Sequence, residues 1–155
     1  RWRMNLKMHS LLLIVTLVLS ISTGTAGQSP TGKNDAEQKV LDFVTAFNQQ
    51  DVNAMLALAS TDVTWMSVSG ETISKEASGA EDLKASMLSY FSTHTSSFSS
   101  IEQIQSSGPW VTTLERAGRL VEGQFKGQCA YAMYELADGL IRSVWYFSAH
   151  PCDRQ

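Results

Sequence analysis

The chain has 155 residues, with 12 basic and 15 acidic side chains and two cysteines. That length supports one domain with a buried core. Its net charge is −3, and beyond the N-terminal segment the acidic balance and the lack of a basic run or basic–aromatic stripe disfavour nucleic acid or an anionic membrane as partner.

The N-terminus opens with the basic "RWRMNLKMHS", continues with the apolar "LLLIVTLVLSIS" and ends in the small residues "TGTAGQ". This is the layout of a secretory signal peptide, residues 1–26, with cleavage expected after Ala26 and Met4 or Met8 as candidate starts. The apolar run is short for a membrane span. Cleavage removes Arg1, Arg3 and Lys7 and no acid, so the mature net charge falls to −6. The expected location is secreted or periplasmic, with no membrane attachment after cleavage. Cys129 and Cys152 both remain, and in an oxidising compartment they either pair or stay as two free thiols.

Residues 27–33, "GQSPTGK", read as a polar linker before a domain at 34–152. In "NDAEQKVLDFVTAFNQQD", Val40, Phe43, Val44 and Phe47 recur at helical spacing, and Asn34 with Glu37 matches a capping box. "DVNAMLALAS" predicts a shorter helix capped by Asp51, with Val52, Met55, Leu56 and Ala59 inward. "TDVTWMSVSG" is a strand ending in a Ser-Gly turn, and "ETISKEAS" reads as extended chain or loop. Ser78 with Glu81 forms a second capping box, and Leu83, Met87, Leu88 and Phe91 share one stripe of a third helix.

The remainder reads as β. "SFSSIEQIQSSG" and "WVTTLERAGRL" are strands, "VEGQFKGQ" is a turn or loop, and "CAYAMYELADGLIRSVWYF" is a hairpin about a "DG" turn. If facing residues of that hairpin sum to about 276, Cys129 opposes Phe147. Ala130, Ala132, Tyr134, Arg142, Val144 and Tyr146 then share one face, and Cys129, Tyr131, Met133, Glu135, Ile141, Ser143, Trp145 and Phe147 the other. Helices mostly first and an antiparallel meander last predict an α+β domain.

"VLDFVTAFNQQDVNAMLALASTDVTWMS", then "SGAEDLKASMLSYF", then "YELADGLIRSVWYF" resemble the NTF2-like superfamily, in its SnoaL-like and ketosteroid-isomerase-like branch, over residues 35–149. The resemblance implies a cone: a curved antiparallel sheet wrapped around about three helices of the N-terminal half, with a pocket inside. It implies that the Ala130-to-Tyr146 face is concave and that the outer sheet face pairs two subunits, giving a homodimer. Fold alone does not assign chemistry. The isomerase branch uses a Tyr on the first helix, an Asp on the first strand and a protonated Asp on a late strand. Those positions fall here on Phe43, Ser67 and Ala132, none of which can do that work.

The remaining acid–base candidates are Glu115 and Arg116, of which strand alternation lets only one face inward. His94 and His150 read as a helix end and a rim residue. No HxH or HxxxH spacing and no phosphate-binding or nucleophile-elbow motif is present, so no metal or cofactor is expected. Phe43, Phe47, Trp65, Ser67, Met87, Phe91, Ala132, Val144 and Tyr146 are the expected pocket lining. They suit a small apolar ligand bound without catalysis. The alternative is a lyase, isomerase or hydrolase with Glu115 as general base and Arg116 or Tyr146 assisting. A third reading, a pure interaction module, predicts no cavity. Glu115 discriminates: inward with polar neighbours favours the enzyme, outward in an ion pair favours binding.

Overall fold

The computed structural model describes residues 35–152. The expected signal peptide, its cleavage point, the linker and Asn34 lie outside the described residues. Among the described residues the order is α1 (Asp35–Asn48), α2 (Val52–Ala57), β1 (Ala59–Ser69), β2 (Thr72–Ser78), α3 (Ala80–Thr93), β3 (Ser97–Ser107), β4 (Trp110–Val121), β5 (Gln124–Ala137) and β6 (Leu140–Phe147). The strands form one curved sheet in the order β2-β1-β6-β5-β4-β3. It is antiparallel except where β1 runs parallel to β6. The helices cover its concave side, so the architecture is the expected α+β cone.

The helices form where the apolar spacing places them. Val40, Phe43 and Ala46 on α1, and Met55 on α2, are buried against Val111, Tyr134, Ile141 and Val144 of the sheet. Asp51 caps α2 by accepting the Ala54 N–H at 2.9 Å, which satisfies one of the orphan donors of a helix start. The α3 stripe is narrower than its sequence suggests. Leu83 and Phe91 are buried, but Leu88 is 54% exposed.

The capping box expected at α3 is replaced by other contacts, while that at α1 rests on Asn34, outside the described residues. The Glu37 carboxylate accepts a hydrogen bond from the Ser106 hydroxyl at 2.6 Å, tying α1 to β3. At α3 the N-cap is Gly79, at φ +93°, which has no side chain to offer. Its N–H bonds the Val63 carbonyl at 2.7 Å, and Asp82, not Glu81, accepts the Ser78 N–H at 3.3 Å.

Two β assignments change. "ETISKEAS" contains a true edge strand, β2, paired with β1; its near-complete exposure accounts for its polar sequence. The "VEGQFKGQ" loop shrinks to a turn at Glu122 and Gly123, both at positive φ, and β5 starts at Gln124. Gly118 and Gly127 face each other across β4 and β5, and a Cβ on Gly118 would collide with the Lys126 carbonyl and the Gly127 backbone.

The terminal hairpin departs from the 276 register for a countable reason. Its turn is the two-residue Asp138–Gly139, both at positive φ, so Ala137 faces Leu140. An irregularity beyond Leu136 adds a residue on β6, so Tyr134 faces Val144 and Ala132 faces Tyr146. The shift of two leaves Ala132, Tyr134, Val144 and Tyr146 on the concave face. Close to the turn the phase flips. Ile141 is buried in the core, while Arg142 is exposed and lies 3.8 Å from Asp62. Ser143 is buried and meets the Thr64 hydroxyl at 3.1 Å.

Cys129 faces His150, not Phe147, through two backbone hydrogen bonds of 2.8 Å. Beyond Pro151 the chain returns, and Cys152 forms a disulfide with Cys129 at a Cα–Cα distance of 4.9 Å. The cross-link fastens the end of the domain to β5.

Candidate functional site

A cavity of about 320 Å³ opens between α1, α3 and the concave sheet, lined by Phe43, Val44, Phe47, Trp65, Ser67, Met87, Tyr90, Ser99, Glu115, Ala117 and Tyr146. Its volume lies at the small end of ligand sites. The interaction-module reading, which requires a filled interior, does not fit it.

The apolar wall comes from helix periodicity. Phe43, Val44 and Phe47 face inward from α1, and Met87 and Tyr90 from α3. Trp65 stands on β1 and stacks on Tyr146 of β6 at 5.2 Å, with the rings 16° from parallel. Its other neighbour is Phe43 at 6.0 Å. Ser67, two residues along β1, reaches the same wall, as a strand repeat of two requires.

Glu115 is the charged group on this wall. It is 2% exposed. Thr113, Glu115 and Ala117 alternate inward on β4. Around the carboxylate four strands each supply one hydroxyl. Oε1 accepts from Tyr134 at 2.7 Å and Thr113 at 2.8 Å. Oε2 accepts from Tyr146 at 2.9 Å and Ser99 at 3.2 Å. The phenol oxygens of Tyr134 and Tyr146 are also 2.9 Å apart. All four partners are neutral; among the described residues no Arg, Lys or His pairs with Glu115. Ala130 and Ala132, in register with Glu115 and Thr113, leave the space that the two phenol rings use.

Burial holds the phenols of Tyr134 and Tyr146 well above their ordinary pKa, and the neighbouring Glu115 charge pushes both further up. Both stay protonated donors across the physiological range. The site therefore offers an apolar chamber with one carboxylate, one phenol on a lining residue (Tyr146) and one sealed phenol (Tyr134) behind them. Such a carboxylate is equipped to take a proton from a bound molecule.

Several expected site residues lie elsewhere. Arg116, next to Glu115 on β4, points to the outer face, with Nε 3.4 Å from Glu102 Oε1. It does not join the cavity, because adjacent strand residues take opposite faces. Phe91, Ala132 and Val144 belong to the packed core, not to the cavity wall. Phe91 is spent on Phe47 at 5.2 Å, and Val144 lies between Trp65 and Tyr134 in the sheet. His94 is exposed, stacked on Tyr90 at 4.4 Å. His150 stacks on Tyr131 at 5.9 Å, beside the disulfide. Of the three positions that correspond to isomerase catalytic residues, Phe43 and Ser67 line the cavity and Ala132 does not. Among the described residues no group of three His, Cys, Asp or Glu is placed to hold a metal ion, and no helix is long and apolar enough to cross a membrane.

Sequence reasoning did not find Ser99, Thr113 or Tyr134 as partners of Glu115, nor Val44, Tyr90 and Ala117 as lining. The available signal was the inward alternation of Val111, Thr113 and Glu115 opposite Tyr134, Ala132 and Ala130.

Solved structures with the same fold are distant in sequence. An uncharacterised cystatin-fold protein from Novosphingobium aromaticivorans is 16% identical, with a TM-score of 0.64 over 76% of this chain and 100% of its own. An NTF2-like protein of unknown function from Cytophaga hutchinsonii is 17% identical, with a TM-score of 0.56 over 78% of this chain and 95% of its own. An LEH-like epoxide hydrolase from M. tuberculosis is 16% identical, with a TM-score of 0.58 over 73% of this chain and 81% of its own. No curated protein sequence matches this chain. The model of the SnoaL-like domain family matches residues 40–144. With two thirds of its length matched and the cone built as described, the chain belongs to the SnoaL-like family within the NTF2-like fold.

Proposed function

We propose that this protein is an enzyme of proton transfer, acting on a small, largely apolar molecule held in the cone, with Glu115 as general base. The observation that carries this reading is the carboxylate itself. It is removed from water, without a cation, on the wall of an otherwise apolar cavity. Burying a carboxylate costs free energy that a structural role does not recover here, since an apolar residue would fill the same space. Tyr146 stands beside the base as a hydrogen-bond donor to an oxygen of the substrate. The reaction class is isomerisation, elimination or base-assisted hydrolysis; one structural neighbour is named an epoxide hydrolase.

The experiment is turnover of 5-nitrobenzisoxazole, a generic probe of carboxylate bases in apolar pockets, by the wild type and Glu115→Gln. Loss of turnover in a folded Glu115→Gln protein supports the reading. Equal turnover in both, or none in either, removes it in favour of simple binding of an apolar ligand. Native mass spectrometry of the purified protein tests that binding reading through a retained small molecule.

Two further properties belong to this proposal. Export to an oxidising compartment is supported by the leader-like N-terminus and by the Cys129–Cys152 disulfide; cell fractionation tests it. Homodimerisation through the outer sheet face is supported by Tyr131, Phe147 and Trp110, which are 54%, 42% and 37% exposed. Sedimentation of Tyr131→Arg against wild type tests it.

A further inference from the structure

Counting hydrogens around Glu115 shows a vacancy. Five oxygen–oxygen contacts of 2.7 to 3.2 Å join Glu115, Ser99, Thr113, Tyr134 and Tyr146. Four hydroxyls supply one hydrogen each. With the carboxylate ionised, one contact has no hydrogen. Ser99 and Thr113 are committed to the carboxylate, so the vacancy falls on one edge of the triangle formed by Glu115, Tyr134 and Tyr146. The three edges differ in access. Glu115 and Tyr146 line the cavity, whereas Tyr134 is fully buried and absent from its wall. The edge between Glu115 Oε2 and Tyr146 Oη is therefore the edge whose two residues both line the cavity.

We propose that Tyr134 is a positioning residue that opens this edge. It donates its own hydrogen to Glu115 Oε1 and accepts that of Tyr146, which leaves Oε2 free to receive a proton from the substrate. The inference rests on the reading of Glu115 as the base. Among the described residues, Tyr146 has no acceptor besides Glu115 and Tyr134. When its hydrogen turns to Tyr134, Oε2 retains only the long bond from Ser99, and its second lone pair is open. When its hydrogen turns to Oε2, that lone pair is capped. The proton taken from a substrate then bridges Oε2 and Tyr146 Oη, and all five contacts hold one hydrogen. From that state Tyr146 can hand a proton to a substrate oxygen and be refilled from Oε2 across 2.9 Å. The base and the acid thus share one edge, and the proton balance closes without solvent. This fits reactions that move a proton between two atoms of one substrate, namely isomerisations and eliminations.

The test uses the full chain and 5-nitrobenzisoxazole. In this probe the base removes the ring C–H proton, the C–N bond becomes a nitrile and the N–O bond breaks. The leaving oxygen departs as a phenolate stable enough to need no acid. Tyr134→Phe deprives the Tyr146 hydrogen of its alternative acceptor, so the cap on Oε2 persists and turnover falls about tenfold. Adding the second substitution, in Tyr134→Phe/Tyr146→Phe, removes the cap and restores turnover. Tyr146→Phe alone raises turnover above wild type, and this arm stands even if Tyr134→Phe fails to fold. Recovery on a second deletion is an outcome that simple loss of packing does not give. A Tyr134→Phe protein as active as wild type, a double variant no better than Tyr134→Phe, or a Tyr146→Phe protein at or below wild type overturns the proposal. In those cases a dead Glu115→Gln protein leaves the base reading intact. Turnover that does not depend on Glu115 overturns both.

Discussion

Glu115 and Arg116 are neighbours on β4, and the pleat sends them into two different chemistries. Glu115 enters the cone, where it is 2% exposed and ringed by hydroxyls from four strands. Arg116 goes to the outer face, where Glu102 on β3 lies 3.4 Å away at an intermediate level of exposure. The two faces of one sheet are thus built on opposite principles. The inner face excludes water and leaves its charge without a counter-ion. The outer face keeps its charges near water and pairs them, but leaves large aromatic rings uncovered, with Trp110 and Trp145 5.7 Å apart. A buried charge held only by neutral dipoles keeps its reactivity, whereas an ion pair spends it.

The largest expected difference between the faces is in packing. Phe43, which is 2% exposed and forms both core and cavity wall, should cost about 3–5 kcal/mol as Phe43→Ala. Phe147→Ala on the outer face should cost well under half of that in the isolated chain. Urea unfolding of both variants measures the gap, and equal losses would mean that the outer rings are buried in the protein as it exists in solution.

The disulfide comes next. It closes a sequence separation of 23 residues, so replacing both cysteines by serine should remove about 3 kcal/mol, by the loop-entropy estimate. Reduction of the wild type should lower the unfolding midpoint to that of the double serine variant. The cross-link lies outside the cavity wall, so turnover of a folded double serine variant should persist below its new midpoint.

How much of this was legible follows from the range of each signal. Helical stripes and β alternation are local, so the cone and the Phe43–Phe47–Trp65–Tyr146 wall could be read from neighbouring residues, and alternation showed that only one of Glu115 and Arg116 faces inward without saying which. The hydroxyl ring could not. Which hydroxyls meet Glu115 depends on register across four strands. That register is set by a two-residue turn and an irregularity after Glu135 whose positions leave little trace in composition. The missed strand β2 has a related cause. Exposed on an edge, it has no apolar repeat to reveal it. Periodicity puts Phe91 and Val144 on the pocket face, but does not say how far along that face the helix and the sheet separate.

A smaller effect tests the interior polar ring. Tyr134→Phe deletes one buried hydrogen bond to a carboxylate and should cost about 1.5–3 kcal/mol in urea unfolding. The same ring gives the fold a dependence on alkaline pH. Tyr134 and Tyr146 have their pKa raised by burial and then by the Glu115 charge. In the unfolded chain both phenols release protons near pH 10, while in the fold they hold them. The unfolded state then binds fewer protons, so stability falls as pH rises above about 10 and is fully present below it. Unfolding free energies measured at steps from neutral to alkaline pH should show this decline, with a shallower slope in Tyr134→Phe.

The smallest effect belongs to the outer face and completes the contrast. Arg116→Ala, or Glu102→Ala, should change stability by no more than about 0.5–1 kcal/mol, because partly exposed ion pairs gain little over their hydration. Added salt should erase most of that difference, since charges near solvent are screened over roughly 8–10 Å at ordinary ionic strength. Glu115 should not respond in this way. Its neighbours carry no opposite charge for salt to screen, so the unfolding cost of Tyr134→Phe should be the same in low and high salt. If instead Arg116→Ala lowers turnover of 5-nitrobenzisoxazole while the fold stays intact, the two faces of β4 communicate, and their separation by the pleat is not the whole basis of the site.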